Sequence, residues 1–92
     1  MSDDLARLQT TPRVAPMFRL QWEEVQQSWV LLYPEGMVKL NGSAGEIMQR
    51  IDGKKTIATL ITELETAFDA TGLQADVLAF LDIAIAQGWV KP

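Results

Sequence analysis

The chain has 92 residues, a formal net charge of −4, and neither histidine nor cysteine. Those two absences exclude thiol and imidazole nucleophilic catalysis and the usual zinc and iron sites. One domain with a thin core is implied, because a chain this short hides only roughly 60–65% of its unfolded surface.

Apolar residues make up 48% and charged residues 22%, an ordinary globular balance. No run of 18 apolar residues occurs, so no membrane span is expected. The start, Met1-Ser2-Asp3-Asp4, is acidic where a secretory signal needs a basic segment, and with no cysteine to oxidise a cytoplasmic location is expected. The twelve acids are scattered, and no Asp-x-Asp-x-Asp-Gly loop or Gly-rich phosphate loop appears. Neither a cofactor nor an enzymatic activity is expected.

Residues 1–15 are polar, hold Pro12 and lack sustained periodicity, which reads as a flexible N-terminal arm. A segment that docks on a partner or a second protomer is the alternative. Three strands follow. Phe18-Arg19-Leu20-Gln21-Trp22 alternates apolar and polar residues, so Phe18, Leu20 and Trp22 face inward. Residues 29–33 are apolar throughout, as expected of a central strand. Pro34-Glu35-Gly36 reads as a hairpin turn in which Gly36 accepts a positive φ. The third strand, residues 37–41, puts Val38 and Leu40 on one face and Met37, Lys39 and Asn41 on the other.

Helices fill the remainder. Ser43-Ala44-Gly45-Glu46 reads as a capping box, with Ala44, Ile47, Met48 and Ile51 as the apolar stripe behind it and Asp52-Gly53 as the stop. Thr56 reads as the next N-cap, and Ile57, Leu60, Ile61, Leu64 and Phe68 make an i, i+3, i+4, i+7 pattern. Gly72 separates this from a third helix near residues 74–87 that stops at Gly88, with Trp89 and Val90 as a tail closing the core. The class is α+β: a small winged-helix-like domain over residues 16–92, a three-stranded antiparallel sheet followed by three helices.

Winged helices often bind DNA, which calls for a basic face. Here the third helix carries Asp76 and Asp82 and no Lys or Arg, and Arg50, Lys54 and Lys55 read as a solvated corner, so no nucleic acid is expected. The apolar side of that helix says more. Leu73, Val77, Phe80, Leu81 and Ala84 form its core stripe, Leu78 and Ile85 lie beside the stripe, and Ile83 lies beyond the opposite edge. Leu78 and Ile85 either line a groove beside the third strand or simply cover the core. That strand is an edge, and an edge beside an apolar groove is a template on which a peptide continues the ladder. Lys39 there either guards against aggregation or meets an acidic group on the peptide.

The string Leu-Leu-Tyr-Pro-Glu-Gly-Met-Val-Lys-Leu-Asn (31 to 41), with Ser43-Ala44, Ile47, Asp52-Gly53 and Gly88-Trp89, resembles the PqqD family, the peptide chaperones of pyrroloquinoline quinone (PQQ) biosynthesis. The likeness covers roughly residues 16 to 90. It implies a chaperone without chemistry of its own, which binds the PQQ precursor peptide between the third strand and the third helix. It also implies presentation of that peptide to a radical S-adenosylmethionine (SAM) enzyme. No metal, flavin or quinone site is transferred. The candidate peptide-binding residues are Met37, Val38, Lys39, Leu40 and Asn41 on the strand and Leu78, Asp82 and Ile85 on the helix. An adaptor that meets mainly the enzyme and a small DNA-binding winged helix are the competing readings. The exposed edge and the apolar segment from Val14 to Phe18 also give the chain ways to form a homodimer.

Overall fold

Two hairpins in succession fold residues 19–39 into an antiparallel meander, and the chain then turns back across one face of it. The computed structural model describes residues 2–92. In chain order the elements are α1 (Ser2–Leu8), β1 (Arg13–Val14), β2 (Arg19–Glu23), β3 (Ser28–Tyr33), β4 (Gly36–Lys39), α2 (Gly42–Met48), α3 (Ile57–Ala67), α4 (Gln74–Ala86) and β5 (Val90–Lys91). The main sheet runs β2-β3-β4, and β1 pairs with β5 in a separate two-stranded ribbon. This is the expected α+β arrangement of a three-stranded antiparallel sheet followed by three helices, with α1, β1 and β5 added.

The register sets the faces. Leu20 opposes Leu31, which opposes Val38, and Trp22 opposes Trp29, so these side chains share the face that meets the helices. Trp22 and Trp29 meet edge to face at 5.6 Å between ring centres. Tyr33 pairs with Gly36 across a loop of Pro34 and Glu35, so Gly36 begins β4 and does not adopt a positive φ. A Cβ at Gly36 would lie 3.3 Å from the Tyr33 hydroxyl, so close approach, not turn conformation, favours glycine there.

The first helix after the sheet is capped differently from the capping-box expectation. Asn41 is the N-cap, its Oδ1 accepting from the Ala44 amide at 2.8 Å. Ser43 lies one residue inside α2, and Glu46 turns instead to Gln49 and Arg50. The stripe itself is as expected: Ala44, Ile47, Met48 and Ile51 are all buried. Thr56 caps α3 through the Thr59 amide, and Ile57, Leu60, Ile61 and Leu64 are buried below it. Phe68 departs from that pattern. The helix ends at Ala67, Phe68 leaves helical geometry with φ −108°, and its ring is 53% exposed.

Along α4, Val77, Leu78, Leu81 and Ala84 are buried, and Phe80 is only half-buried. The inward face is therefore rotated from the one expected. Gly88, at φ 80°, ends the helix, and Trp89 donates back to the Ala84 carbonyl at 2.9 Å. Val90 follows into the core.

The segment expected as a flexible arm has regular structure over most of its length. After α1, the Thr10 carbonyl accepts from Ile57, the Pro12 carbonyl accepts from Gly53, and the Ala15 amide donates to Trp89, at 3.0, 3.1 and 2.8 Å. Arg13 and Val14 pair with Lys91 and Val90. These partners lie about forty or more positions away in the chain, so no local period announces them. Asp52, meanwhile, holds the α2–α3 turn: its carboxylate accepts from the Lys54 and Lys55 amides, at 2.8 and 2.9 Å. Those bonds, from Lys55 and then Lys54, lower its pKa.

The helix α2 comes close to the sheet at Gly45, where a Cβ would come 2.8 Å from Trp29 Cδ1 and 3.2 Å from Trp29 Cβ. Gly45→Ala gains at most about 1 kcal/mol of helix propensity against an overpacking cost of about 1–3 kcal/mol. The expected outcome in urea unfolding is a net loss near 1 kcal/mol. A variant as stable as the parent would show that α2 can lift off Trp29 freely.

Candidate functional site

Two strands edge the main sheet, β2 and β4, and for β4 the hydrogen-bond pattern fixes which groups point outward. The Leu40 amide donates to the Trp29 carbonyl at 3.0 Å, continuing the β3–β4 ladder one residue past the strand. Antiparallel ladders alternate, so Val38 and Gly36 also turn their N–H and C=O toward β3. Met37 and Lys39 therefore turn theirs away from the sheet. Both side chains lie on the outer face and are exposed.

The remaining candidate residues are distributed less simply. Val38 is half-buried against the core, and Leu40 is buried at 4% exposure with its amide already bonded. Asn41 is engaged as the α2 cap. On α4, Leu78 is buried at 7% exposure, and Ile85 is half-buried against the same core cluster. Asp82 is exposed and paired with Arg7 of α1 at 2.9 Å. Val38, Leu40, Leu78 and Ile85 thus converge on one core. Met37 and Lys39 present backbone to solvent, and Asp82 faces the N-terminal helix.

An apolar concavity lies elsewhere, on the helical half. An open hollow of about 430 Å³ is bounded by the start of α2, the end of α3 with the loop that follows, and the first turn of α4. Its lining combines the buried Ile47, Leu64 and Val77 with the more exposed Phe68 and Leu73. Its ionisable lining residues are Glu46 and Asp76. Arg50 contacts two of the lining residues: its guanidinium bonds Glu46 at 2.8 Å and lies 5.9 Å from the centre of the Phe68 ring. A smaller hollow of about 200 Å³ lies on the other side of Gly42 and Glu46, between Trp22, Trp29 and Asn41. The buried Ser28 Oγ on its lining has no hydrogen-bond partner.

Sequence periodicity missed the larger hollow because it assigned Phe68 and Val77 to helix stripes. One local signal was available. Phe68 is followed by a break, Asp69 at φ 51° and Gly72 at φ 73°, and an aromatic residue at a helix end beside such a break is free to leave the stripe.

The model of the family described as coenzyme PQQ synthesis protein D matches residues 28–90, from the start of β3 to β5. The chain belongs to the PqqD family. It is 46% identical over 88 residues to a protein of Pseudomonas aeruginosa called PqqA binding protein, covering 95% of this chain and 96% of that one. A protein of the same name from Acinetobacter baylyi is 49% identical over 84 residues, covering 90% and 85%. The solution structure of the PqqD portion of Methylobacterium extorquens PqqCD superposes with a TM-score of 0.74. That match has 28% identity and covers 88% of each chain. That protein is described as a stand-alone recognition element for ribosomally synthesised, post-translationally modified peptides. The PqqD match begins at β3, so β4 and all three helices around the hollow lie inside it.

The burial of Leu78 generates a test of its role. Leu78→Ala should cost about 2–5 kcal/mol of stability, in the same range as Leu81→Ala, whereas the exposed Ile83→Ala should stay within about 0.5 kcal/mol of the parent. Denaturant unfolding of the three variants measures this. A Leu78→Ala variant as stable as Ile83→Ala would return Leu78 to the surface and to the peptide groove.

Proposed function

We propose that this chain is the peptide chaperone of its PQQ pathway. It binds the ribosomal precursor peptide as an added strand on β4 and presents it to the radical SAM crosslinking enzyme. Relatives that match nearly the whole chain are named for binding PqqA, and the solved neighbour is a peptide recognition element; both support the binding role. The observation that carries the strand-addition reading is the outward set of backbone groups at Met37 and Lys39. The protein acts by holding and orienting, with no chemistry of its own. It works in the cytoplasm, and no helix among the described residues is long and apolar enough to cross a membrane. Sheet, α3 and α4 together read as a winged-helix-like domain adapted to peptide. The ionisable residues on α4 are Asp76 and Asp82, a poor match for phosphates.

Within the candidate set the strand residues act mainly through backbone. Leu40 and Asn41 hold the strand-to-helix junction in place, while Leu78 and Ile85 support the wall behind it. Lys39 offers its ammonium to an acidic group on the peptide, and Asp82 offers the opposite charge if Arg7 is displaced.

Two proline substitutions separate the outward from the inward donors. Lys39→Pro removes an N–H that points away from the sheet, a position where an edge strand accepts proline. It should keep the melting temperature near that of Lys39→Ala and weaken precursor binding by about 1 kcal/mol relative to it, roughly fivefold. Val38→Pro removes a ladder bond to Leu31 and should instead destabilise the fold. Calorimetric titration with the precursor reads the affinities. Equal affinity for Lys39→Pro and Lys39→Ala would sink strand addition at this edge.

We also infer that the same edge allows weak self-association, in which a second copy takes the place of the peptide. Contact through residues 14–22, or exchange of that segment, is the other route; exchange would require the β1–β5 ribbon to open. Sedimentation at several concentrations should show a monomer–dimer equilibrium that shifts to monomer when precursor is added. A single monomeric species at all concentrations would remove the dimer, and a dimer unaffected by precursor would move its interface away from β4.

A further inference from the structure

The hollow between α2, α3 and α4 has a shape and charge that the strand-addition reading leaves unused. Its volume of about 430 Å³ falls within the roughly 300–1,000 Å³ of sites that enclose small ligands and bulky side chains. Apolar surface dominates the lining, through Ile47, Leu64, Val77 and the half-exposed Phe68 ring. Such a surface favours an aromatic or large aliphatic group. The charged lining residues, Glu46 and Asp76, are both acidic. The Arg50 guanidinium nearby already bonds Glu46 at 2.8 Å, which leaves Asp76 as the uncompensated charge at the rim among the described residues. A third carboxylate, Glu65, accepts from the amide of the lining residue Leu73 at 3.1 Å.

Position links this hollow to the free edge. Gly42 lines it and comes three residues after Lys39, a span of at most about 10 Å. A peptide paired with β4 and continuing past its end therefore reaches the hollow with about three further residues. We propose that the hollow is an anchor site for a bulky apolar side chain carried next to a lysine or arginine in the bound peptide. This rests on the strand-addition reading for the peptide's path. The chemistry of the anchor rests on the hollow alone.

The probe is the capped dipeptide acetyl-Phe-Lys-amide, with acetyl-Phe-Gln-amide and acetyl-Phe-Glu-amide as charge controls. Each is titrated into the full chain while methyl and amide NMR signals are followed. The expected result is movement of the Ile47, Leu64 and Val77 methyls, with affinity in the order Lys, Gln, Glu. Asp76→Asn should lower affinity for the lysine probe by up to about fivefold, the range for one exposed charge pair, and leave the glutamine probe unchanged. Ala70→Trp, which fills the mouth from a loop position, should abolish the methyl shifts for all three. Still methyls, or equal affinity for the three dipeptides, would overturn the proposal. A parallel titration with the precursor keeps the two readings apart. If Met37 and Lys39 amides move and the hollow's methyls do not, the anchor proposal falls and strand addition stands. If the precursor leaves the β4 amides unmoved, strand addition falls, and the dipeptide series still decides the anchor.

Discussion

Between Leu40 and Asn41 the chain changes from strand to helix with no residue to spare, and much of the molecule depends on that junction. Leu40 contributes the last rung of the β3–β4 ladder through its amide and a fully packed side chain. Its neighbour then caps α2, with Asn41 Oδ1 on the Ala44 amide. With no slack between them, α2 must fold back over β3, which is why Gly45 lies against Trp29. A slip of one residue in β4 would turn Leu40 outward and bring Lys39 into the core, since side chains alternate along a strand. The same constraint aims the outward backbone groups of Met37 and Lys39. The edge available for a peptide and the packing of the first helix are thus two results of one register.

A core this thin is closed by the chain ends. The β1–β5 ribbon and the bonds from Thr10, Pro12 and Ala15 tie the N-terminal stretch to the start of α3, to Gly53 and to Trp89. These contacts join distant parts of the sequence, and the entropy of closing such loops grows only slowly with their length. Fully packed Pro12 and Val90 add apolar burial at the same seam. By contrast, the Arg7–Asp82 pair lies at the surface, with Arg7 half-buried and Asp82 exposed, and surface pairs contribute about 0–1 kcal/mol. Backbone pairing and burial, more than charge, hold this end in place.

The sequence was most legible where one period ran unbroken. The β2 alternation, the α2 stripe, the Thr56 cap and the Gly88 stop all describe real elements, because each signal and its consequence lie within one turn or one strand. It was least legible where tertiary contact decided the outcome. Two acceptable caps, Asn41 and Ser43, stand two residues apart, and the one used is Asn41, next to the buried Leu40. Leu78 and Phe80 lie about 160° apart, at opposite edges of the α4 stripe, and the neighbouring elements, not the period, settle which is buried. Phe68 continues its stripe on paper but falls one residue beyond the helix. For the candidate site, the edge strand was visible as an alternating segment after a hairpin. The hollow was not, since it is made by three elements whose meeting no local pattern records.

Magnitudes show why an edge and a hollow would work together. The outward N–H and C=O groups of Met37 and Lys39 offer a peptide four backbone hydrogen bonds, each worth about 0.5–1.5 kcal/mol net. Ordering a flexible peptide costs about 1–2 kcal/mol for each residue fixed. Over the four or so residues needed to span β4, the two sums roughly cancel. Backbone pairing alone therefore gives alignment without much affinity, and it is indifferent to sequence. Selectivity has to come from side-chain burial, at about 25 cal/mol for each Å² of apolar surface removed from water. On the outer face beside β4 that surface is limited, because Lys39 is charged, Val30 opposite it is already buried, and Met37 has only the half-buried Leu32 across from it. An apolar hollow that begins three residues beyond Lys39 would supply it. A carrier built in this way holds its cargo by a few strong contacts at one end and a sequence-blind ladder at the other. Release would then require loss of the anchor alone, since the strand would have little net affinity to keep the peptide in place.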